Sequence, residues 1–93
     1  MQLARPFPNP TSGEVSFNLF NISASQARLE ILDMMGRKIH QADYPTSAND
    51  LSIIQWSGAD LNGHKAAAGL YVYKLVTYSD GTPKTNQGRI IIR

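Results

Sequence analysis

The 93 residues include no cysteine, which excludes disulfides and thiolate metal sites, although it leaves the cellular compartment open. Charge is sparse at 17% of residues, and nine Lys and Arg against seven Asp and Glu leave a formal net charge of +2. The cations are scattered from Arg5 to Arg93 with only Arg37-Lys38 adjacent, so no basic stripe exists for nucleic acid. No window approaches the roughly 18 consecutive apolar residues that a membrane-spanning helix needs. No charged start leads into an apolar run, so no signal peptide is expected within these residues. Only two histidines, His40 and His64, are present, too few to build a histidine metal site without other converging ligands.

What is present fits one globular domain spanning residues 1–93. Apolar residues make up 42% of the chain, and a domain of this size buries roughly 60–65% of its unfolded surface, enough to fold alone with a narrow margin. Met1 lies so close to the first ordered segment that the chain is expected to be a piece of a larger protein.

The residues alternate with a period of two along most of the chain. In Gly69–Tyr78, Tyr71, Tyr73 and Leu75 point one way, while Leu70, Val72, Lys74 and Val76 point the other. Val15, Phe17 and Leu19 form one face of a strand over residues 14–21, with Ser16 and Asn18 opposite. Leu29 and Ile31 do the same between Ala27 and Asp33, with Arg28 and Glu30 outward. Gly36 then supplies a positive-φ position at a hairpin tip, and Arg37 to Ala42 returns as a short strand with Ile39 inward. Leu51 to Trp56 is a further strand, and Tyr44 to Asp50 reads as a surface connection. Pro6, Pro8 and Pro10 forbid a central strand or helix in residues 1–10, which therefore form an extended arm or edge with Phe7 as anchor. Asn9 to Gly13 and Ser79 to Pro83 are turn clusters, and Ala66–Ala68 has room for a single helical turn. A terminal strand runs from Lys84 to Arg93, where Ile90, Ile91 and Ile92 together suggest burial on both faces. Six or seven short strands without a long helix predict an all-β, immunoglobulin-like antiparallel β-sandwich of about seven strands. Trp56 and the Gly-x-Tyr strand stand at its centre, and Tyr71 is placed to send its hydroxyl back to a backbone carbonyl.

Reactive constellations are weak. His40 alternates out from Ile39 and His64 sits in a turn, so both are expected in solvent. Ser57 lacks a nucleophile elbow around it. Asp60-Leu61-Asn62-Gly63 resembles a truncated calcium loop but lacks the preceding acid and the later Glu, so a structural turn is the stronger reading. Asn21-Ile22-Ser23 satisfies the glycosylation sequon, whereas Asn9-Pro10-Thr11 is disqualified by its proline. Trp56, Tyr71 and Tyr73 are core residues by their alternation, with a sugar-binding surface as the other reading. The chain is expected not to be an enzyme and to need no cofactor or metal. The final strand either completes a sheet or forms an exposed edge, open to strand addition by a partner or to edge pairing between two copies.

These segments, in this order, form a known pattern. Pro8-Asn9-Pro10 followed by Thr11-Ser12-Gly13-Glu14-Val15 resembles the opening of type A C-terminal sorting domains of the bacterial type IX (Por) secretion system. Leu32-Asp33-Met34-Met35-Gly36-Arg37-Lys38-Ile39 is similar to that family's strand, glycine turn and return strand. Gly69-Leu70-Tyr71 is similar to its Gly-x-Tyr motif, and Gly88-Arg89-Ile90-Ile91-Ile92-Arg93 to its basic and apolar ending. The resemblance runs from about Pro6 to Arg93. It implies a non-catalytic domain at the end of a larger cargo protein, carried through the periplasm to the cell surface. The implied partners are an outer-membrane shuttle, the translocon and a sortase that commonly removes the domain. Carried over by position, the recognition residues are Gly69, Tyr71, Lys84, Gly88, Arg89, Ile90, Ile91, Ile92 and Arg93. The family often has Lys near the place of Arg89 and a small or basic residue at that of Gln87. Trp56-Ser57-Gly58-Ala59-Asp60-Leu61-Asn62-Gly63 also resembles the immunoglobulin-like module of flagellar hook-capping proteins. A structural or carbohydrate-binding module of a cell-surface protein is the alternative function.

Overall fold

A computed structural model describes residues 2–3, 6–8, 10–20, 26–46, 51–79 and 81–93. Its strands are β1 (Gln2–Leu3), β2 (Val15–Phe20), β3 (Gln26–Asp33), β4 (Lys38–Pro45), β5 (Ser52–Trp56), β6 (Gly69–Ser79) and β7 (Thr82–Ile92). They form two antiparallel sheets, β1-β2-β5 and β4-β3-β6-β7, and no helix occurs among the described residues. The molecule is an all-β, immunoglobulin-like sandwich.

The alternating apolar residues meet between the sheets. Val15, Phe17, Leu19, Ile54 and Trp56 from the first sheet face Ala27, Leu29, Ile31, Tyr71, Tyr73, Leu75, Ile90 and Ile92 from the second, and all are buried. The rings of Phe17 and Tyr73 meet edge to face at 5.0 Å across the interface, a favoured aromatic geometry. Trp56 is buried, and its Nε1–H donates to the Ala59 carbonyl at 2.9 Å.

Several expectations are corrected. Ile39 is the extra residue where the β3–β4 register shifts, since Ile31 pairs with His40 but Leu32 pairs with Lys38. This bulge turns His40, with Ala42 and Tyr44, toward the half-buried side instead of into solvent. The return strand accordingly runs on through Tyr44 and Pro45, and residues 47–50 of the expected connection lie outside the described residues. Phe7 does not anchor the arm with its ring, which is half exposed. Its backbone does so, exchanging two hydrogen bonds with Ser16, and Pro6 is the buried residue. The arm also includes edge strand β1. Ala66 enters the core as part of an extended loop, with no helical turn. Strand β7 starts two residues earlier than expected, and Ile91 is 45% exposed while Ile90 and Ile92 are buried. Strict alternation in a sheet with one covered face explains the difference. The sequon at Asn21, together with Asn9 and Asp80, lies outside the described residues.

Candidate functional site

The β6–β7 hairpin collects most of the predicted recognition residues at one end of the sandwich. Gly69 pairs with Ile92, Leu70 with Ile91, Tyr71 with Ile90, Val72 with Arg89 and Tyr73 with Gly88. Arg93 follows directly. Lys84 is not brought to this end. It pairs with Thr77 near the opposite end of the hairpin, roughly 17 Å along the strand from Arg89 at about 3.4 Å per residue.

Each of these residues has a local reason for its place. Gly69 begins β6 at φ +155°, a conformation that side chains rarely adopt, although space is open around it. Tyr71 is buried, and its hydroxyl donates to the Ala67 carbonyl at 2.5 Å, as its place after the glycine predicts. Gly88 lies against the ring of Tyr73. A Cβ there would stand 2.7 Å from both Cε2 and the hydroxyl oxygen, so this glycine makes room for a core aromatic. Ile90 and Ile92 are core residues, whereas Arg89, Ile91 and Arg93 are exposed.

Thr11 is a member of this end that the sequence reading missed. Its N–H donates to the Ile91 carbonyl at 2.9 Å, and its carbonyl accepts from the Arg93 N–H at 2.9 Å. This parallel bridge ties the end of one sheet to the segment that leads into the other. The Thr11 hydroxyl also donates to the Glu14 carbonyl at 2.6 Å and accepts from the Gly13 N–H, which fixes the turn expected after the proline arm.

Two loops at the same end repeat one design. In Asp33 to Arg37, Oδ1 of Asp33 accepts from the N–H groups of Met35 and Arg37, and the Gly36 N–H donates to the Asp33 carbonyl. In Asp60 to His64, Oδ1 of Asp60 accepts from Asn62 and His64, and the Gly63 N–H donates to the Asp60 carbonyl. The Asp60 carboxylate is thus engaged by its own turn, which supports the structural reading of that loop. Backbone donors and the Arg37 guanidinium hold the Asp33 carboxyl below its ordinary range. No cluster of three or more metal-ligating side chains occurs among the described residues. A groove of about 360 Å³ separates the loops, lined by Arg37, Lys38, Ile39, Asp60, Leu61 and Asn62. A second, of about 230 Å³, runs beside Leu32, Met34, Val72 and Lys74 on the outer face of the larger sheet.

Two chemical readings lose their basis. A sugar surface on Trp56, Tyr71 and Tyr73 is ruled out because all three rings lie in the core at 1–7% exposure. His40 is not a solvated residue: its Nε2 lies 2.9 Å from the Tyr44 hydroxyl and its ring 5.9 Å from that of Trp56, and burial lowers its pKa. His64 is exposed, as expected.

Residues 8–81 match the FlgD Ig-like domain family model. The chain belongs to this family. Among solved structures it is similar to dimeric latent PorU from Porphyromonas gingivalis, with a TM-score of 0.80 and 26% identity over 95% of this chain and 9% of that one. It is similar to FlgD from Xanthomonas campestris, a structure described as giving insight into the hook capping essential for flagellar assembly, with a TM-score of 0.70 and 25% identity over 88% of this chain and 59% of that one. PorZ, an essential surface component of the type IX secretion system of P. gingivalis, shares the fold with a TM-score of 0.58 and 22% identity over 96% of this chain and 11% of that one. No curated protein matches. The chain therefore spans less than two thirds of each of these solved chains.

Proposed function

We propose that this domain is a C-terminal sorting module that directs a larger cargo protein across the outer membrane through the type IX system, acting by recognition and not by catalysis. The observation that carries this reading is the likeness to PorU over nearly the whole of this chain but under a tenth of that protein. A module that fits a small part of a long protein suits an address better than a free-standing activity. The family match ends at Gly81, before β7, which pairs here along the full length of β6. In this reading the shuttle and translocon read the exposed residues around Gly69–Tyr71 and β7, and the domain passes through the periplasm to the cell surface.

The test is export of a reporter carrying residues 1–93 behind a signal peptide, in a host with type IX secretion. Removing residues 88–93 would be a poor control, because Ile90 and Ile92 are core residues and the fold would be damaged. The informative variants are Arg89→Glu and Ile91→Asp, each first shown to melt cooperatively. Surface delivery of the parent fusion with periplasmic retention of the variants supports the proposal. Retention of the parent fusion in export-competent cells overturns it.

A second reading is a structural immunoglobulin-like module, favoured by the family match and the likeness to Xanthomonas FlgD. It predicts that the reporter stays inside while the domain still folds.

A further inference from the structure

We infer that the outer edge of β7 is a docking site for an extended, acidic polypeptide segment, which pairs with it through main-chain hydrogen bonds. This rests on the reading of the terminal strand as a recognition element and adds the mode of binding and the chemistry of the partner.

β7 is last in the order of its sheet, next to β6, and the bridge to Thr11 lies at its far end, beyond Thr85 and Gln87. In an antiparallel pair, successive residues direct their N–H and C=O groups alternately toward the partner strand and away from it. The Thr11 bridge fixes the phase: the Ile91 carbonyl and the Arg93 N–H point away from β6. The β6–β7 register is unbroken from Gly69↔Ile92 to Ser79↔Thr82, so Thr85 and Gln87 also turn their backbone groups outward. Pro83 falls at an outward position too, where its missing donor costs the sheet nothing. Thr11 shows that this edge accepts a pairing segment at its far end.

The other edge of the same sheet is protected. β4 is bulged at Ile39 and ends at Pro45, both devices that discourage pairing. On β7 the comparable protection, Pro83 and Lys84, is confined to the hairpin end.

Charge selects the occupant. From Thr82 to Arg93 the strand carries Lys84, Arg89 and Arg93 and no Asp or Glu. Two copies pairing edge to edge would set cationic strands side by side, which is unfavourable, whereas an acidic segment places opposite charges across the new pair. An extended segment rich in Asp or Glu is the partner this edge fits.

The test uses the intact 93-residue chain and a short capped peptide alternating Glu and Thr, with its Lys-for-Glu counterpart as control. Hydrogen exchange followed by NMR is expected to show added protection at the Thr85 and Gln87 amides with the Glu peptide only. Gln87→Pro removes an outward donor and should weaken binding by roughly tenfold. Lys84→Glu, which leaves the backbone intact, should also weaken it and serves if the proline variant folds poorly. Equal protection by the Lys peptide, or none by either, overturns the proposal. So does protection that grows with protein concentration without peptide, which would make a second copy the occupant. Export that depends on Arg89 and Ile91 while Thr85 and Gln87 stay unprotected would leave the sorting reading standing and remove only this one.

Discussion

Gly88 gives the clearest separation between a residue that is read by a partner and one that lets the fold close. A Cβ at this position would sit 2.7 Å from Cε2 and the hydroxyl oxygen of Tyr73 and 2.9 Å from Cζ. The ring cannot retreat freely, because its other contacts include Phe17 at 5.0 Å. Overpacking of this kind costs about 1–3 kcal/mol, while replacing glycine by alanine inside a strand returns about 0.5–1 kcal/mol. Gly88→Ala should therefore lose about 1–2 kcal/mol, the difference between those two terms. For a domain of this size the melting temperature should fall by roughly 5–15 °C. The assay is equilibrium unfolding of the single variants and of the double variant with Tyr73→Leu, which removes the ring atoms in the way. In the Tyr73→Leu background, Gly88→Ala should be neutral or stabilising, giving a coupling of about 1–3 kcal/mol. If Gly88→Ala is as stable as the parent in both backgrounds, the steric argument fails, and Gly88 returns to the list of surface recognition residues.

Other perturbations probe the remaining contacts. Tyr71→Phe deletes the bond to the Ala67 carbonyl and should cost about 0.5–1.5 kcal/mol by urea titration, as one net hydrogen bond does. Gly58→Ala would place a Cβ 2.7 Å from the Gly13 carbonyl oxygen at φ +88°, whereas Gly63→Ala meets only a positive φ, worth about 1–2 kcal/mol. The first should be clearly more destabilising than the second in the same denaturant series. Ile90→Ala should cost about 2–5 kcal/mol, because the side chain is fully buried, while Ile91→Ala, on the exposed side, should cost much less by the same measurement. Burial lowers the pKa of folded His40 below the ordinary histidine value, so on acidification the unfolded chain takes up its proton first. Stability should fall as pH drops through the ordinary histidine range toward the lower folded value, and His40→Gln should flatten that part of a plot of melting temperature against pH.

The sandwich was legible because its strands have one covered face, and a period of two survives wherever a sheet separates core from solvent. Val15, Phe17 and Leu19, Leu29 and Ile31, and Tyr71, Tyr73 and Leu75 all declare their faces in this way. The tyrosine hydroxyl bond was legible from Gly69-Leu70-Tyr71 itself. What escaped depends on register and on approach between distant segments. A single bulged residue, Ile39, turned His40 inward, and nothing local to Arg37–Ala42 marks it. The Thr11 bridge depends on where the chain end falls in space. The paired aspartate turns did leave a signal, Asp-x-x-Gly at Asp33 and again at Asp60. Its intervening residues, Met34 and Met35 against Leu61 and Asn62, are dissimilar enough to hide the repeat.

The terminal strand has to satisfy two demands with one short sequence, and its geometry divides them. Even-numbered residues from Gly88 to Ile92 face the core, where Gly88 accommodates Tyr73 and the two isoleucines fill the space beside Tyr71 and Trp56. Odd-numbered residues turn side chains to solvent and, by the phase set at Thr11, backbone groups away from β6. Between Gly88 and Ile92, a partner that reads the folded domain can therefore take side-chain information only from Arg89 and Ile91, flanked by the exposed Lys84, Thr85, Gln87 and Arg93. A partner that reads the unfolded strand would see both sets alike. Substitutions at odd positions that abolish export without loss of stability would favour recognition of the folded sandwich. Equal sensitivity at Ile90 and Ile91, despite their unequal burial, would mean that the strand is read after it has left the sheet.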